Sequence, residues 1–149
     1  MSRIQLDIDS DLGNVVLVAL AVNRICLHVG MDSTKAAMVE LGVTEALTNA
    51  IQHACQGRTG SVVSLLLSTF PDRLEIEVID RGIGIPADQV RKLLHGSPEL
   101  NLDIGDLESL SESGRGLQII HDVMDQVVYI QNEDRNSLRL TKQIHRSTS

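Results

Sequence analysis

The sequence predicts an α+β two-layer sandwich in which helices cover one face of a mixed, mostly antiparallel sheet. Three features lead there. Strand-like segments with a two-residue hydrophobic period and longer helical segments succeed one another in the order β-α-α-β-β-α-α-β-β, which is not the strict alternation of a doubly wound sheet. Two of the strand-like runs, SVVSLLLST and RLEIEVID, are joined only by Phe70, Pro71 and Asp72, a connection that suits a hairpin. The 149 residues contain no internal repeat or linker and fit one hydrophobic core, so residues 1–149 are read as a single domain.

Each element has its own signal. RIQLDI places Ile4, Leu6 and Ile8 against polar neighbours, the pattern of a half-buried first strand. Asp9, Ser10 and Asp11 supply candidate caps and Gly13 a break. Residues 14–28 then form a mostly apolar helix that stops near Gly30. Its longest apolar run, VVLVALAV, gives way at once to Asn23 and Arg24 and falls short of the roughly 20 residues of a membrane span. Asp32 or Ser33 caps a second long helix that reaches His53 or Ala54, before Gly57. After the hairpin, whose second strand ends on Asp80, RGIGIP leads through Pro86 into a short helix ending near His95 and Gly96. Residues 96–114 are polar, acidic and weakly periodic; a loop of that length in a compact domain is usually a functional lid or disordered. RGLQIIHDVMDQV is a helix with Leu117, Ile120 and Met124 on one side, and VVYIQN and SLRLTKQI close the chain as strands.

Composition excludes several roles. A net charge of -7, with Lys and Arg scattered rather than clustered, argues against a nucleic-acid or anionic-membrane surface. Phe70 and Tyr129 are the only aromatics, so Val, Leu, Ile, Ala and Met must build the core. Cys26 and Cys55 have neither CxxC nor metal-type spacing, and no signal peptide precedes the first strand. Both cysteines are read as small buried hydrophobes of a reduced, cytoplasmic protein.

Chemistry is carried by three short segments. In VTEALTNAIQHA, residues 43–54, helical geometry collects Val39, Val43, Ala46, Leu47, Ala50 and Ala54 into one stripe and puts Glu45 and Asn49 roughly opposite, one turn apart. Alone, such a pair reads as ordinary solvated helix residues. In IDRGIGIP a strand ends on Asp80 and turns through Gly82 and Gly84, which permits close approach of backbone to a ligand. A carboxylate at the bottom of a pocket can accept a hydrogen bond from an exocyclic amine; a plain Asp-Gly turn is the alternative. In SGRGLQII, Gly114 and Gly116 stand immediately before a helix, where free N–H groups and the helix dipole can hold phosphate oxygens, although GxG is also a common loop element.

In this order and spacing the three segments resemble the N, G1 and G2 boxes of the GHKL ATPases. Within that superfamily the chain is most similar to the small anti-sigma-factor serine-protein kinases of the RsbW and SpoIIAB type, whose N box VTEALTNAIQHA matches nearly residue for residue. The resemblance covers most of the chain. It implies the Bergerat ATP-binding fold, ATP and Mg²⁺ as cofactors, and an ATP lid at about residues 95–115. It implies that Asn49 holds Mg²⁺ through its carboxamide oxygen and that Glu45 is general base toward a Ser hydroxyl of a partner protein. Asp80 would accept the adenine amino group, with Gly82, Gly84 and Ile85 shaping the adenine pocket. Gly114 and Gly116 would let the lid close, backbone amides from 114 to 117, Arg115 and Leu117 included, pointing to the phosphates. His53 continues the Glu45, Asn49 face, and a capping or hydrogen-bonding role near the helix end is favoured over catalysis. Arg115 either meets the γ-phosphate or faces solvent. Residues 97–113 hold Glu99, Asp103, Asp106, Glu108 and Glu112 without Lys or Arg, a lid that repels phosphates unless Mg²⁺ or Arg115 compensates.

The resemblance further implies a homodimeric kinase that phosphorylates a Ser on a STAS-type anti-sigma-factor antagonist and alternately sequesters a sigma factor. Leu17, Leu20 and Arg24 of the first helix are expected in the partner surfaces, with core packing the competing reading for the leucines. One alternative is a nucleotide-dependent module that sequesters its partner without phosphorylating it; the acidic lid favours this and Glu45 opposes it. The other is an ATPase acting on water, which would need dimerising or transducing segments beyond these residues. The absence of a preceding phosphoacceptor helix pair and of a subsequent transducer domain points away from a complete histidine kinase, gyrase or MutL.

Overall fold

The computed structural model describes residues 1–54, 60–95 and 116–145, with only the backbone of residues 53 and 54. Its sheet has five strands: β1 (Ser2–Asp9), β2 (Val62–Thr69), β3 (Arg73–Asp80), β4 (Gln126–Gln131) and β5 (Asn136–Gln143), in the order β1-β2-β3-β5-β4. Every described pairing is antiparallel, so the expected sandwich is observed and its sheet contains no parallel pair among the described residues. The helices are α1 (Gly13–His28), α2 (Ser33–Asn49), α3 (Ala87–His95) and α4 (Gly116–Val123). α1 and α2 pack together across a connection of residues 29–32. This helical hairpin returns the chain to the end of the sheet where β1 stopped, which is why β2 runs antiparallel to it.

Alternation along the strands separates the two faces. Val63, Leu65 and Leu67 of β2, Leu74, Ile76 and Val78 of β3, and Leu138 and Leu140 of β5 are buried toward the helices. They meet Val15, Val18, Val22 and Cys26 of α1, Val39, Val43, Ala46 and Leu47 of α2, and Leu117, Ile120 and Met124 of α4 and its C-terminal end in one cluster. As expected, the core is aliphatic: Phe70 lies at the hairpin turn under the Arg73 guanidinium, 4.0 Å from the ring centre, and Tyr129 is partly buried. Burial pushes the Cys26 thiol up to about 12, so it is an inert core residue, as its sequence context predicts; Cys55 lies outside the described residues. Among the described residues no helix is long and apolar enough to cross a membrane.

Of the two candidate caps for α2, Asp32 is the one used: its Oδ1 accepts the Lys35 N–H at 2.8 Å. Midway along α2, Gly42 lets α4 come close, because a Cβ there would stand 3.1 Å from Met124 Sδ and 3.2 Å from Val123 Cγ2. The gap has no room for a branched side chain. Gly42→Val is expected to destabilise the protein by about 1–3 kcal/mol through overpacking of this crossing, read as a lowered midpoint in urea unfolding with an unchanged slope.

Candidate functional site

The last two turns of α2 carry Glu45 and Asn49, and neither is the solvated residue that the helical projection implies. Glu45 is only 9 % exposed and Asn49 is half-buried. The projection accounts for the flank that meets the sheet, whereas α4 covers a second flank of the same helix. Gly116, the first residue of α4, sits against both side chains: a Cβ at 116 would collide with Glu45 Oε2 and come within 3.5 Å of Asn49 Nδ2. Position 116 therefore admits no side chain without displacing Glu45.

Burial without a cation shifts this carboxyl. Desolvation raises the Glu45 pKa from its ordinary value. Asn49 Nδ2 is buried and has no hydrogen-bond partner among the described residues. Such an atom ordinarily costs about 1–3 kcal/mol, and its persistence marks a place where a ligand would complete the bonding. The amide oxygen and nitrogen can exchange places by a flip, so this end of Asn49 serves either as donor or as acceptor.

Directly after Asn49 the helix changes character. Ala50–Ala54 forms a π-helical turn where the sequence predicts ordinary helix as far as His53 or Ala54. A single π turn shifts the register of the residues beyond it and is common beside functional sites. The side chain of His53, expected to extend the Glu45, Asn49 face, lies outside the described residues.

Across from this helix end, β3 alternates without a fault and delivers Asp80 on its inward face, 8 % exposed. Asp80 Oδ1 accepts two hydrogen bonds of 2.9 Å, from the Gly82 N–H and from Asn136 Nδ2. The same Asn136 nitrogen donates to the Gly82 carbonyl, also at 2.9 Å. Asp80 Oδ2 takes no hydrogen bond among the described residues, so one carboxylate oxygen is fixed and the other is available to a donor. Asn136 faces Asp80 because β3 and β5 pair in the register Asp80↔Asn136.

The glycines of this turn do different work. Gly84 adopts φ +82°, a left-handed conformation, and a Cβ on it would lie 2.6 Å from Gln131 Nε2 and 2.8 Å from the Tyr129 hydroxyl. Gly82 has no positive φ and contributes its backbone groups to the Asp80, Asn136 cluster. The far side of the turn is held by β4, where the Tyr129 hydroxyl accepts the Ile85 N–H at 2.9 Å and Gln131 Nε2 donates to the Ile83 carbonyl at 3.1 Å. Burial first, and then the charge of Asp80, raise the Tyr129 pKa, so its phenol stays protonated at neutral pH.

Asn49, Asp80, Ile85 and Tyr129, with Val78 and Leu138 as floor, line one small cavity of about 20 Å³. That is room for about one water. Leu117 is buried next to Gly116 in the first turn of α4. Gly114, Arg115 and the acidic stretch 97–113 lie outside the described residues. The structure thus brings together Glu45, Asn49 and Gly116 on one side and Asp80, Gly84 and Ile85 on the other. Sequence reasoning missed Asn136, Tyr129 and Gln131. NEDRNS reads as a polar loop, and only the pairing of β5 with β3 gives Asn136 a partner.

A helix-end Glu and Asn, an inward Asp at a strand end, a glycine turn held by a neighbouring strand and a helix beginning on a glycine thus meet at one end of the two-layer sandwich. The sequence matches the histidine kinase-like ATPase domain over residues 8–142, and the chain belongs to that family. Among its relatives is the serine-protein kinase RsbW of Bacillus subtilis, 30 % identical over 132 residues, which covers 88 % of this chain and 79 % of the relative. The protein of the same name from Bacillus licheniformis is 33 % identical over 135 residues, covering 89 % and 80 %, and that from Bacillus velezensis is 29 % identical over 143, covering 95 % and 86 %.

Asn136→Ala removes two hydrogen bonds at once and strands the Gly82 carbonyl. The expected cost is about 1–3 kcal/mol in denaturant unfolding, together with weaker nucleotide binding in calorimetry; full retention of both would show that Asp80 needs no such support.

Proposed function

We propose that this chain is an ATP-dependent protein serine kinase that acts as an anti-sigma factor, phosphorylating a Ser on a STAS-type antagonist protein and sequestering a sigma factor. The observation that carries the reading is the placement of a buried, unpaired carboxyl with a raised pKa, Glu45, beside the unsatisfied amide of Asn49, both at the first residue of α4. In this reading Asp80 Oδ2 accepts the adenine amino group while Asn136 holds Oδ1. Gly84 and Ile85 border the base, and the amides at the start of α4, Gly116 and Leu117, face the phosphates. Gly114, Arg115 and His53 keep the supporting roles that the resemblance implies, next to the phosphates and beyond Asn49.

Mg²⁺ fits the donor set. Among the described residues no group of three or more His, Cys, Asp or Glu gathers to hold a metal by itself, which suits an ion that takes one or two protein ligands and completes its shell with water and phosphate. Asn49, its oxygen turned into the site, would be that ligand, and the bound ion would neutralise charge on the nucleotide phosphates. Glu45 then has a proton to accept: the one on the attacking Ser hydroxyl of the partner.

The partner surfaces are assigned to α1. Val15, Val18 and Val22 are buried, whereas Val16, Leu17 and Leu20 are 61, 66 and 54 % exposed and Arg24 is exposed beside them. Core packing therefore does not explain Leu17 and Leu20. A stripe of this kind on one helix takes protein partners, including a second copy of the chain in a homodimer of the cytoplasm.

Incubation with Mg-ATP and candidate antagonists encoded beside the gene, with phosphosite mass spectrometry as the readout, tests the reading. Phosphoserine is expected on the antagonist and should vanish in Glu45→Ala while nucleotide binding persists. Tight partner binding with no phosphorylation would sink it in favour of a sequestering module. Asp80→Asn should weaken ATP binding by roughly 10–100-fold, the equivalent of one lost buried hydrogen-bond partner; unchanged affinity would remove Asp80 from the adenine site.

The sign of the Glu45 shift sets the pH response. A carboxyl whose folded pKa is raised contributes stability that is full below its unfolded pKa and lost as pH rises through the folded pKa. Glu45→Gln should therefore raise the melting temperature more at pH 8 than at pH 4. The phosphorylation rate of the unsubstituted protein should rise over the window in which Glu45 ionises. Equal melting shifts at both pH values would show that Glu45 is not desolvated.

A further inference from the structure

The face of the sheet turned away from the helices carries a depression of about 660 Å³ into which Arg3, Arg81 and Arg135 project. All three are exposed, and their guanidinium groups make no hydrogen bond or ion pair among the described residues. In a chain of net charge -7, three cations without a partner among the described residues line a depression whose only lining carboxylate is Asp7, with Asp9 and Glu77 at its edge as the register partners of Val62 and Leu66. Asp7 does not neutralise them. Its Oδ1 already accepts the Ser64 hydroxyl at 2.6 Å and Gln5 Nε2 at 3.0 Å, bonds that hold its pKa below the usual range. Between the arginines the floor is aliphatic, formed by Leu66 of β2 and Ile79 of β3.

We propose that this depression docks an acidic segment of a partner polypeptide, its carboxylates on Arg3, Arg81 and Arg135 and an aliphatic side chain on Leu66 and Ile79. Guanidinium and carboxylate match as planar, bidentate partners, and an extended segment that alternates acidic and aliphatic residues presents both chemistries to a sheet face. Two features favour a polypeptide over nucleic acid. The depression has no aromatic side chain on which a base could stack, and its aliphatic floor of Leu66 and Ile79 gives a nucleotide nothing to pair with but suits an aliphatic side chain. The inference does not rest on the kinase assignment, because it uses the face of the sheet opposite the helices that carry Glu45 and Asn49. Arg81 and Arg135 nonetheless adjoin Asp80 and Asn136 in the chain, so the docked segment would lie just outside the hydrogen-bond cluster that fixes Asp80.

The test is fluorescence anisotropy on the full chain with a labelled peptide of about ten residues alternating Glu and Leu, and with oligouridylate of similar length as the nucleic-acid probe. Peptide binding is expected to weaken as salt rises and to fall roughly tenfold or more in the R3Q/R81Q/R135Q triple variant. Arg139→Gln, an exposed arginine of β5 outside the depression, should bind as the unsubstituted protein does. Should the triple variant lose its fold by circular dichroism, Arg81→Gln and Arg135→Gln singly should each still weaken binding several-fold. Equal peptide affinity in folded variants and unsubstituted protein would overturn the proposal, as would tighter binding of oligouridylate than of the peptide at the same salt.

Discussion

The close crossing of α2 and α4 is the constraint on which the rest of the site depends. Two positions permit it, Gly42 in the middle of α2 against Met124 and Val123, and Gly116 at the start of α4 against Glu45 and Asn49. A side chain at 116 would displace Glu45, and one at 42 would press on Met124 and Val123, so the burial that shifts the Glu45 carboxyl depends on this approach. The same two contacts close the hydrophobic core on this side of the sheet and set up the chemistry at the helix end. Packing and proton affinity are here one fact.

The second anchor is a polar one, and it sits where the sheet ends rather than where helices meet. Asn136 bridges Asp80 and the Gly82 carbonyl, Tyr129 holds Ile85, and Gln131 holds Ile83, so a turn between a strand and a helix is tied to two other strands. A loop with so many glycines would otherwise have a large conformational entropy to lose on binding a ligand. The ties fix the turn and one oxygen of Asp80, and leave its other oxygen without a partner among the described residues. The cavity behind Asp80 is narrow, and Ile85 and Tyr129 form part of its wall.

Chemical character differs sharply between the two faces of the molecule. α1 shows an aliphatic stripe with a single arginine, whereas the depression on the open face of the sheet is lined by three arginines, without a partner among the described residues, around an aliphatic floor. These surfaces lie on opposite sides of the sheet and invite different partners: an apolar helix or sheet face on one, an acidic extended segment on the other. The net charge of -7 sharpens the contrast, since an acidic segment is repelled nearly everywhere else.

Much of this was written in local sequence. Element order, the alternation of β3, the Asp32 cap, the aliphatic core and the arrival of Asp80 at a strand end all come from short-range periodicity and turn chemistry, which depend on neighbours in the chain. The resemblance of the N-box segment located Glu45 and Asn49 without giving their environment. Helical projection made them solvent residues because it knows one packed flank; α2 packs against α1 and α4 as well as the sheet, and only the tertiary arrangement buries Glu45. The π turn after Asn49 and the Asn136 bridge are likewise decided by long-range contacts, the bridge by the register of β5 against β3, to which no local signal points. Sequence by itself determined the elements and the residue types available for chemistry. The tertiary structure decided which of them lose their water, and with it their ordinary proton affinity.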